Sequence, residues 1–185
     1  MTTRPIIFST PMIQALLADR KTQTRRLGTS PLRNVEVGDL LWVREHWRTE
    51  SDYYNDLAPS DMSGEEPIIY TADADWSDNH TVGRHRQGMH MPRWASRLTL
   101  KVTRVRHDRL QRITREDCRS EGHPRRAHQH PDPDVDLDAA RDWFMDLWDD
   151  LHDKPGERWR DNPMVVALNF EVIRGNVDQV VKRND

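Results

Sequence analysis

The chain has 185 residues, of which 35% are hydrophobic and 32% are charged, and its formal net charge is -3. This length fits one domain with its own core beneath a very polar surface. The only cysteine, Cys118, excludes an intramolecular disulfide and a zinc site built from cysteines. No stretch resembles a transmembrane span or a signal peptide. We therefore expect a cytoplasmic protein without membrane association.

The net charge conceals four segments of alternating sign. Residues 1–48 carry +4, residues 49–92 carry -7, residues 93–130 carry +7 and residues 131–185 carry -7. If the basic side chains share a face, they form a positive patch that suits a phosphate-bearing or polynucleotide ligand. Alternatively, the acidic segments neutralise the basic strands in self-contained salt bridges. Both interpretations stay open, because arginines on a regular strand alternate between its two faces.

The predicted elements begin with a short helix and an extended segment. Thr10 is the predicted N-cap of a helix that ends near Arg20, because apolar residues recur there at helical spacing. Residues 22–26 suit a strand, in which Thr24 and Arg26 share one face. A lysine at the end of the helix and a threonine on the strand could therefore converge on one pocket.

The later elements predict an α+β fold with a β-barrel. Strand 97–106 is the clearest, because apolar residues alternate there with polar and cationic ones. The order of elements contains no repeated crossover helices, which argues against a doubly wound sheet. The remaining predicted elements are strands at 39–47, 67–72 and 164–172, a helix that Thr114 caps and Gly122 ends, and a helix at 137–151.

Three blocks of sequence resemble the ASCH family and stand in its usual order. They are Ala18-Asp19-Arg20-Lys21-Thr22-Gln23-Thr24-Arg25-Arg26, Val37–Glu45 and Ile113–Gly122. Residues 90–97 and 162–166 resemble segments of ASCH-like proteins that bacteriophages and prophages often encode. The resemblance runs from residue 4 to about residue 173. It implies a single PUA-like β-barrel domain over residues 1–185, with loop insertions at 49–89 and 123–137.

The resemblance also implies an activity. The smallest ASCH proteins include bacterial amidohydrolases that remove the acyl group from N4-acetylcytidine. Their working residues match Lys21, Thr24 and Glu121 here as the catalytic set, with Arg26 as a substrate-binding residue. Either a neutral Lys21 is the base toward the Thr24 hydroxyl, or Lys21 stays charged and Glu121 is the base.

Aromatic and basic residues elsewhere are further candidates for substrate binding. Tyr70 and Trp94 can stack a nucleobase beside Arg93, although aromatic side chains fill cores more often than they bind bases. We expect no cofactor, since the chain has no phosphate-binding loop, dinucleotide fingerprint or nucleophile elbow. We also expect no metal ion, since no ligand spacing joins the loop histidines, which are His80, His85, His90, His123, His128 and His130.

Two functional hypotheses follow, with a third in reserve. The first is an amidohydrolase acting on N4-acylated cytosine nucleosides, with a small-molecule substrate. The alternative is an RNA-binding PUA-like module, with or without weak ribonuclease activity, which the basic segments support. The third is a phage-encoded protein that recognises a modified nucleotide or a host protein without catalysis. A small pocket holding Lys21, Thr24 and Glu121 would favour the enzyme, and a broad basic groove would favour RNA.

Overall fold

The structure, a computed structural model, describes residues 1–74, 81–124 and 133–184. No helix in these ranges is both long enough and apolar enough to cross a membrane. The strands and α-helices, in chain order, are β1 (Thr3–Ile7), α1 (Thr10–Leu17), β2 (Gln23–Leu27), β3 (Leu40–Arg44), β4 (Trp47–Thr49), β5 (Ile68–Tyr70), β6 (Leu98–Arg109), α2 (Arg115–Ser120), α3 (Pro133–Leu151), β7 (Met164–Arg174) and α4 (Val177–Asn184).

Five of these strands form a mixed sheet in the order β1-β3-β6-β7-β2, and β4 pairs with β5. Strand β1 runs parallel to β3, whereas β3 with β6 and β2 with β7 are antiparallel. The protein is therefore α+β, as predicted. The predicted barrel is not closed, because β1 and β2 are the outer strands of this sheet among the described residues. Beside the start of β2, a backbone bridge joins Lys21 to Glu121, so the end of α2 lies next to this strand.

The chain divides into two compact units. Unit 1 comprises Met1–Gln14, Asp39–Lys101 and Val172–Asp185, and unit 2 comprises Ala15–Gly38 and Val102–Glu171. Elements α1, β6 and β7 contribute residues to both units. The assignment of one domain with insertions at 49–89 and 123–137 stays a prediction, and residues 75–80 and 125–132 of those insertions lie outside the described ranges.

Apolar clusters pack on β3 and around Trp47 among the described residues of unit 1. In one, Leu40 and Trp42 of β3 pack against Val177 and Val180 of α4. In the other, Trp47 is wholly buried together with methionine and alanine side chains from the loops that follow. The sequence did not predict β1 or α4, because each is short and short elements depend on tertiary packing, here the pairing of β1 with β3 and the packing of α4 on β3.

Unit 2 is organised around α3. Its buried face presents Ala140, Phe144 and Trp148, four residues apart, which is the spacing of one side of a helix. Helix α3 begins at Pro133 rather than at residue 137, and proline fits the first helical turn because that turn leaves its N–H groups unpaired. The same cluster contains Leu110, Ile113, Cys118 and Val165.

Two other predicted boundaries needed correction. Helix α1 ends at Leu17, before Arg20, because Asp19 adopts a left-handed conformation and the N–H groups of residues 20 and 21 both turn back to the carbonyl of Ala15. The strand predicted at 39–47 is two strands, since β3 pairs with β1 and β6 whereas β4 pairs with β5. The start and end of α2 agree with the prediction: the Thr114 hydroxyl accepts a hydrogen bond from the N–H of Asp117, and Gly122 follows the C-cap.

Candidate functional site

The site begins with Lys21, in the turn between α1 and β2 of unit 2. The backbone that follows Lys21 is fixed, because the N–H of Thr22 donates to the carbonyl of Ser120 and the carbonyl of Thr22 accepts from Phe170. Only 2% of Lys21 is exposed. Its amine donates to the backbone carbonyl of Glu121 at 2.7 Å and to the carboxylate oxygen Oε2 of Glu121 at 3.1 Å.

Glu121 is the C-cap of α2 and is as deeply buried as Lys21. The next residue, Gly122, has φ of +103°, and a Cβ there would lie 3.1 Å from the Cβ of Ala15 and 3.3 Å from the Cβ of Lys21. A glycine is needed at this point both for the backbone conformation and for the close approach of the two segments. The turn therefore holds Glu121 against Lys21.

A second cation, Arg25, shares the carboxylate of Glu121. Arg25 Nη1 donates to Glu121 Oε1 at 3.0 Å, and Arg25 Nη2 donates to Asp117 Oδ2 at 2.6 Å. Asp117 also accepts hydrogen bonds from Gln23 Nε2 at 2.9 Å and from Arg106 Nη2 at 2.9 Å. Strand alternation explains this arrangement, since Gln23 and Arg25 share the face of β2 that meets α2.

Thr24 and Arg26 belong to the other face of β2, as predicted from the alternation. The Thr24 hydroxyl is buried and accepts a hydrogen bond from Arg26 Nη1 at 2.6 Å. The guanidinium of Arg26 interacts electrostatically with both Lys21 and Glu121. Lys21 and Glu121 are thus in direct contact, and Thr24 contacts Arg26, whose charge acts on both of them.

Burial and charge together change the protonation of the site. Burial lowers the pKa of Lys21, the charge of Glu121 opposes that change, and the positive charges of Arg26 and Arg25 reinforce it. Burial also lowers the pKa of Arg26, against the attraction of Glu121. A buried amine among cations releases its proton more readily than a solvated lysine does. Lys21 is therefore a candidate base.

For Asp117 on α2, in contrast, interactions with neighbouring groups outweigh the effect of burial on the pKa. Burial alone would raise the pKa of Asp117, but hydrogen bonds from Gln23 and Arg106 and the charge of Arg25 bring it down to about 2. Asp117 is consequently an anion throughout the physiological range. The neighbouring Cys118 is a different case, because burial raises the pKa of its thiol to about 12 and a thiol in this state is a poor nucleophile.

The remaining predicted binding residues lie in unit 1. Arg93 donates to Asp178 at 2.8 Å and to the hydroxyl of Thr3 at 2.8 Å. The Tyr70 hydroxyl donates to the carbonyl of Ala95 at 2.9 Å, and Trp94 packs beside the apolar cluster around Trp47. Their role in binding stays a prediction.

Arg97 covers the ring of Tyr70. Its guanidinium carbon lies 3.8 Å from the ring centroid and is held by the carboxylates of Glu45 and Asp73. Burial raises the pKa of Glu45, which Arg97 opposes. Together with the pair formed by Arg93, these contacts favour the interpretation that Arg93 and Arg97 are neutralised in self-contained salt bridges.

His46 and His85 form a close pair among the histidines that the structure describes. The ring nitrogens Nδ1 of His46 and Nε2 of His85 are 2.9 Å apart. His123 contacts the ring of Trp143 edge-on. Within residues 1–74, 81–124 and 133–184, no three histidine, cysteine or acidic side chains form a group that could hold a metal ion. The loop histidines at 80, 128 and 130 fall outside these ranges.

The sequence interpretation missed Asp117 and the bridging role of Arg25. A signal for both was present. Asp117 precedes Glu121 by four residues on the predicted helix, so the two carboxylates share a face, and Arg25 stands beside Arg26 in the same cationic run. The sequence did not show which face of α2 packs against β2.

No protein-family model matches the sequence, and neither does any curated protein. Among solved structures, protein EF3133 from Enterococcus faecalis V583, of the DUF984 family, is 10% identical, with a TM-score of 0.48 over 96% of this chain and 83% of that one. An ASCH domain from Lactobacillus crispatus JV V101 is 13% identical, with a TM-score of 0.42 over 92% and 79%. Hypothetical protein PH0355 is 12% identical, with a TM-score of 0.41 over 94% and 100%. These are distant similarities, and no residue of this chain takes a role from them.

Proposed function

We propose that the protein is an amidohydrolase of the ASCH type, with a PUA-like fold, that removes the acyl group from N4-acylated cytosine nucleosides. The sequence resemblance to ASCH amidohydrolases supplies the substrate class. The observation that carries the proposal is the buried amine of Lys21 in contact with Glu121, with a lowered pKa. The cytoplasmic setting and the phage or prophage type belong to the same proposal.

The first half of the reaction uses Thr24 as the nucleophile. The neutral amine of Lys21 takes the hydroxyl proton of Thr24 as its oxygen attacks the acyl carbon, because a threonine hydroxyl is too weak a nucleophile without a base. Arg26, which contacts the Thr24 hydroxyl at 2.6 Å, stabilises the oxyanion that forms on the acyl oxygen. The C–N bond then breaks, and the proton held by Lys21 passes to the exocyclic nitrogen of the departing cytosine.

The second half restores the enzyme. Glu121 accepts a proton from a water molecule, which attacks the acyl-threonine ester. The ester bond breaks, the proton held by Glu121 passes to the Thr24 oxygen, and the carboxylic acid leaves. The alternative assignment, in which Lys21 stays charged and Glu121 is the base from the start, agrees less well with burial, since a buried ammonium between two arginines is disfavoured.

The experiment is to measure acetate released from N4-acetylcytidine by the purified protein. We expect release by the wild-type protein and its loss in Lys21→Ala, because the base is then missing. Lys154→Ala is the matched control, since Lys154 is exposed and belongs to a loop of the same unit. Wild-type protein that folds and releases no acetate from any N4-acylated cytosine would contradict the proposal.

RNA binding is the second candidate, and the exposed cations of β6 favour it. Arg104 and Arg109 are exposed along the part of β6 that belongs to unit 2, and Arg112, which pairs with Asp108, follows in the next turn with its side chain 75% exposed. Such residues can contact phosphates without base specificity. A steep salt dependence of RNA binding would distinguish this candidate from an enzyme that acts on uncharged nucleosides.

A further inference from the structure

We propose that Arg25 is a positioning residue that keeps more of the Lys21 amine in its neutral, proton-accepting form by sharing the carboxylate of Glu121 with it. The catalytic consequence of this inference rests on the proposed function. The effect of Arg25 on the protonation of Lys21 does not. The resemblance to ASCH amidohydrolases assigns no catalytic role to Arg25.

The contacts divide Glu121 between two cations. Oxygen Oε1 accepts from Arg25 at 3.0 Å and oxygen Oε2 accepts from Lys21 at 3.1 Å, so each cation holds one oxygen of the same carboxylate. A carboxylate that is shared in this way stabilises the ammonium form of Lys21 less than one that faces Lys21 alone. All three side chains are buried, which makes the competition stronger than it would be in water.

Arg25 is itself fixed from the other side. Its Nη2 contacts Asp117 at 2.6 Å, its Nη1 also contacts the amide oxygen of Gln23, and its guanidinium lies 6.0 Å from the ring centroid of Phe144 on α3. Asp117 is held in turn by Arg106 of β6. The arginine therefore cannot turn wholly toward Glu121 or away from it without breaking several contacts.

The charges around the pair come from four elements. Strand β2 supplies Arg25 and Arg26, α2 supplies Asp117 and Glu121, and β6 supplies Arg106 through its contact with Asp117. Helix α3 brings Arg141 into electrostatic range of Cys118, next to Asp117. Arg25 contacts the carboxylates of both Asp117 and Glu121, so changes on its two sides should act on Lys21 with opposite sign.

The experiment is an NMR titration of the lysine side chains in the full chain, which has four lysines. In Arg25→Met, Glu121 turns to Lys21 alone, and we expect the pKa of Lys21 to rise. In Asp117→Asn, Arg25 keeps its hydrogen-bonding partner but loses the compensating charge, and we expect the pKa of Lys21 to fall. Arg25→Lys should give a value between wild type and Arg25→Met, because a lysine keeps the charge but cannot bridge two carboxylates.

The matched control is Arg20→Met. Arg20 is a neighbouring cation that donates to the carbonyls of Gly122 and His123. The Arg20→Met substitution should change the pKa of Lys21 less than Arg25→Met does. Equal changes in the two variants, or changes of the same sign in Arg25→Met and Asp117→Asn, would overturn the inference, because a purely structural disturbance has no reason to reverse its sign.

Catalysis provides a separate readout. At neutral pH, Arg25→Met should lower kcat/KM for N4-acetylcytidine roughly tenfold, and its rate should recover at higher pH as Lys21 loses its proton. A rate loss that is the same at every pH would also overturn the inference. If the wild-type protein has no hydrolase activity, the proposed function fails, whereas the titration still decides whether Arg25 controls Lys21.

Discussion

Lys21 and Glu121 are one hundred residues apart in the sequence, and the amine of Lys21 donates to both the backbone carbonyl and the carboxylate of Glu121. The pair is completed by a backbone bridge between the same two residues. A base and an acid that share backbone and side-chain contacts are held in one geometry, which general acid–base chemistry requires. The predictions below depend on this pair and on the residues that hold it.

Removal of the nucleophile should abolish most of the activity. Thr24→Ala should lower kcat for N4-acetylcytidine at least about a hundredfold, because the proposed nucleophile is then missing, and Thr24→Ser should keep a measurable part. The measurement is initial-rate kinetics of acetate release. Thr22→Ala is the control, since Thr22 is exposed and only its backbone is hydrogen-bonded. Equal losses at positions 22 and 24 would argue against a nucleophilic Thr24.

The pH dependence of the rate should follow Lys21. The pKa of Lys21 lies below its usual value of 10.5, mainly because of burial, so the neutral amine is populated at lower pH than in a solvated lysine. The rate should rise with pH through that lowered pKa and then reach a plateau. The profile of kcat/KM from neutral to alkaline pH tests this. A rate that decreases as the pH rises through this range would indicate that the charged amine is the active form.

The stability of the protein toward acid should depend on Asp117. Its pKa in the folded protein is about 2, below the value near 4 expected in the unfolded chain, so the folded state binds the proton less tightly. The stabilisation is complete above about pH 4 and disappears as the pH falls toward 2. Denaturant unfolding at several pH values should therefore show Asp117→Asn as less stable than wild type at pH 7, with a difference that shrinks in acid. If the difference in free energy of unfolding between Asp117→Asn and wild type stays constant with pH, the charge of the Asp117 carboxylate contributes nothing to stability.

Gly122→Ala should disturb the site as well as the fold. The left-handed backbone alone costs about 1–2 kcal/mol for a residue with a Cβ. The new Cβ would also press against Ala15 and Lys21. Gly156→Ala is the matched control, because Gly156 has a positive φ as well but nothing within 4 Å of the added Cβ. We expect both variants to lose free energy of unfolding, and Gly122→Ala alone to lose activity beyond what its stability explains.

Salt should separate the two candidate functions. RNA binding through exposed cations should weaken with a log-log slope of about -0.7 per phosphate contacted, whereas hydrolysis of an uncharged nucleoside should change little. We expect the shallow dependence for acetylcytidine and only weak RNA binding, since the two acidic segments of the chain repel a long polyanion. Filter binding and turnover, measured over the same salt series, provide the comparison. Tight and steeply salt-dependent RNA binding without turnover would favour the RNA-binding module.

Local chemistry allowed the elements of unit 2 to be predicted. Thr114 and Gly122 define the ends of α2 because a hydroxyl caps free N–H groups and a glycine accepts a positive φ. Alternation along β2 separates Thr24 and Arg26 from Gln23 and Arg25, because the period of a strand is fixed by its backbone. These are properties of a few neighbouring residues, so the sequence by itself determined them.

The tertiary structure decided which charges meet. The basic segments could have lined a groove, but Arg93, Arg97 and Arg106 each contact a carboxylate from another element of the fold. The same holds for Arg25, whose contacts with Asp117 and Glu121 depend on how α2 packs beside β2. Pairing between such residues depends on how whole strands and helices pack together, and the local sequence pattern does not specify that packing. The sequence thus determined the reactive groups, and only the fold decided that a buried lysine shares its glutamate with an arginine.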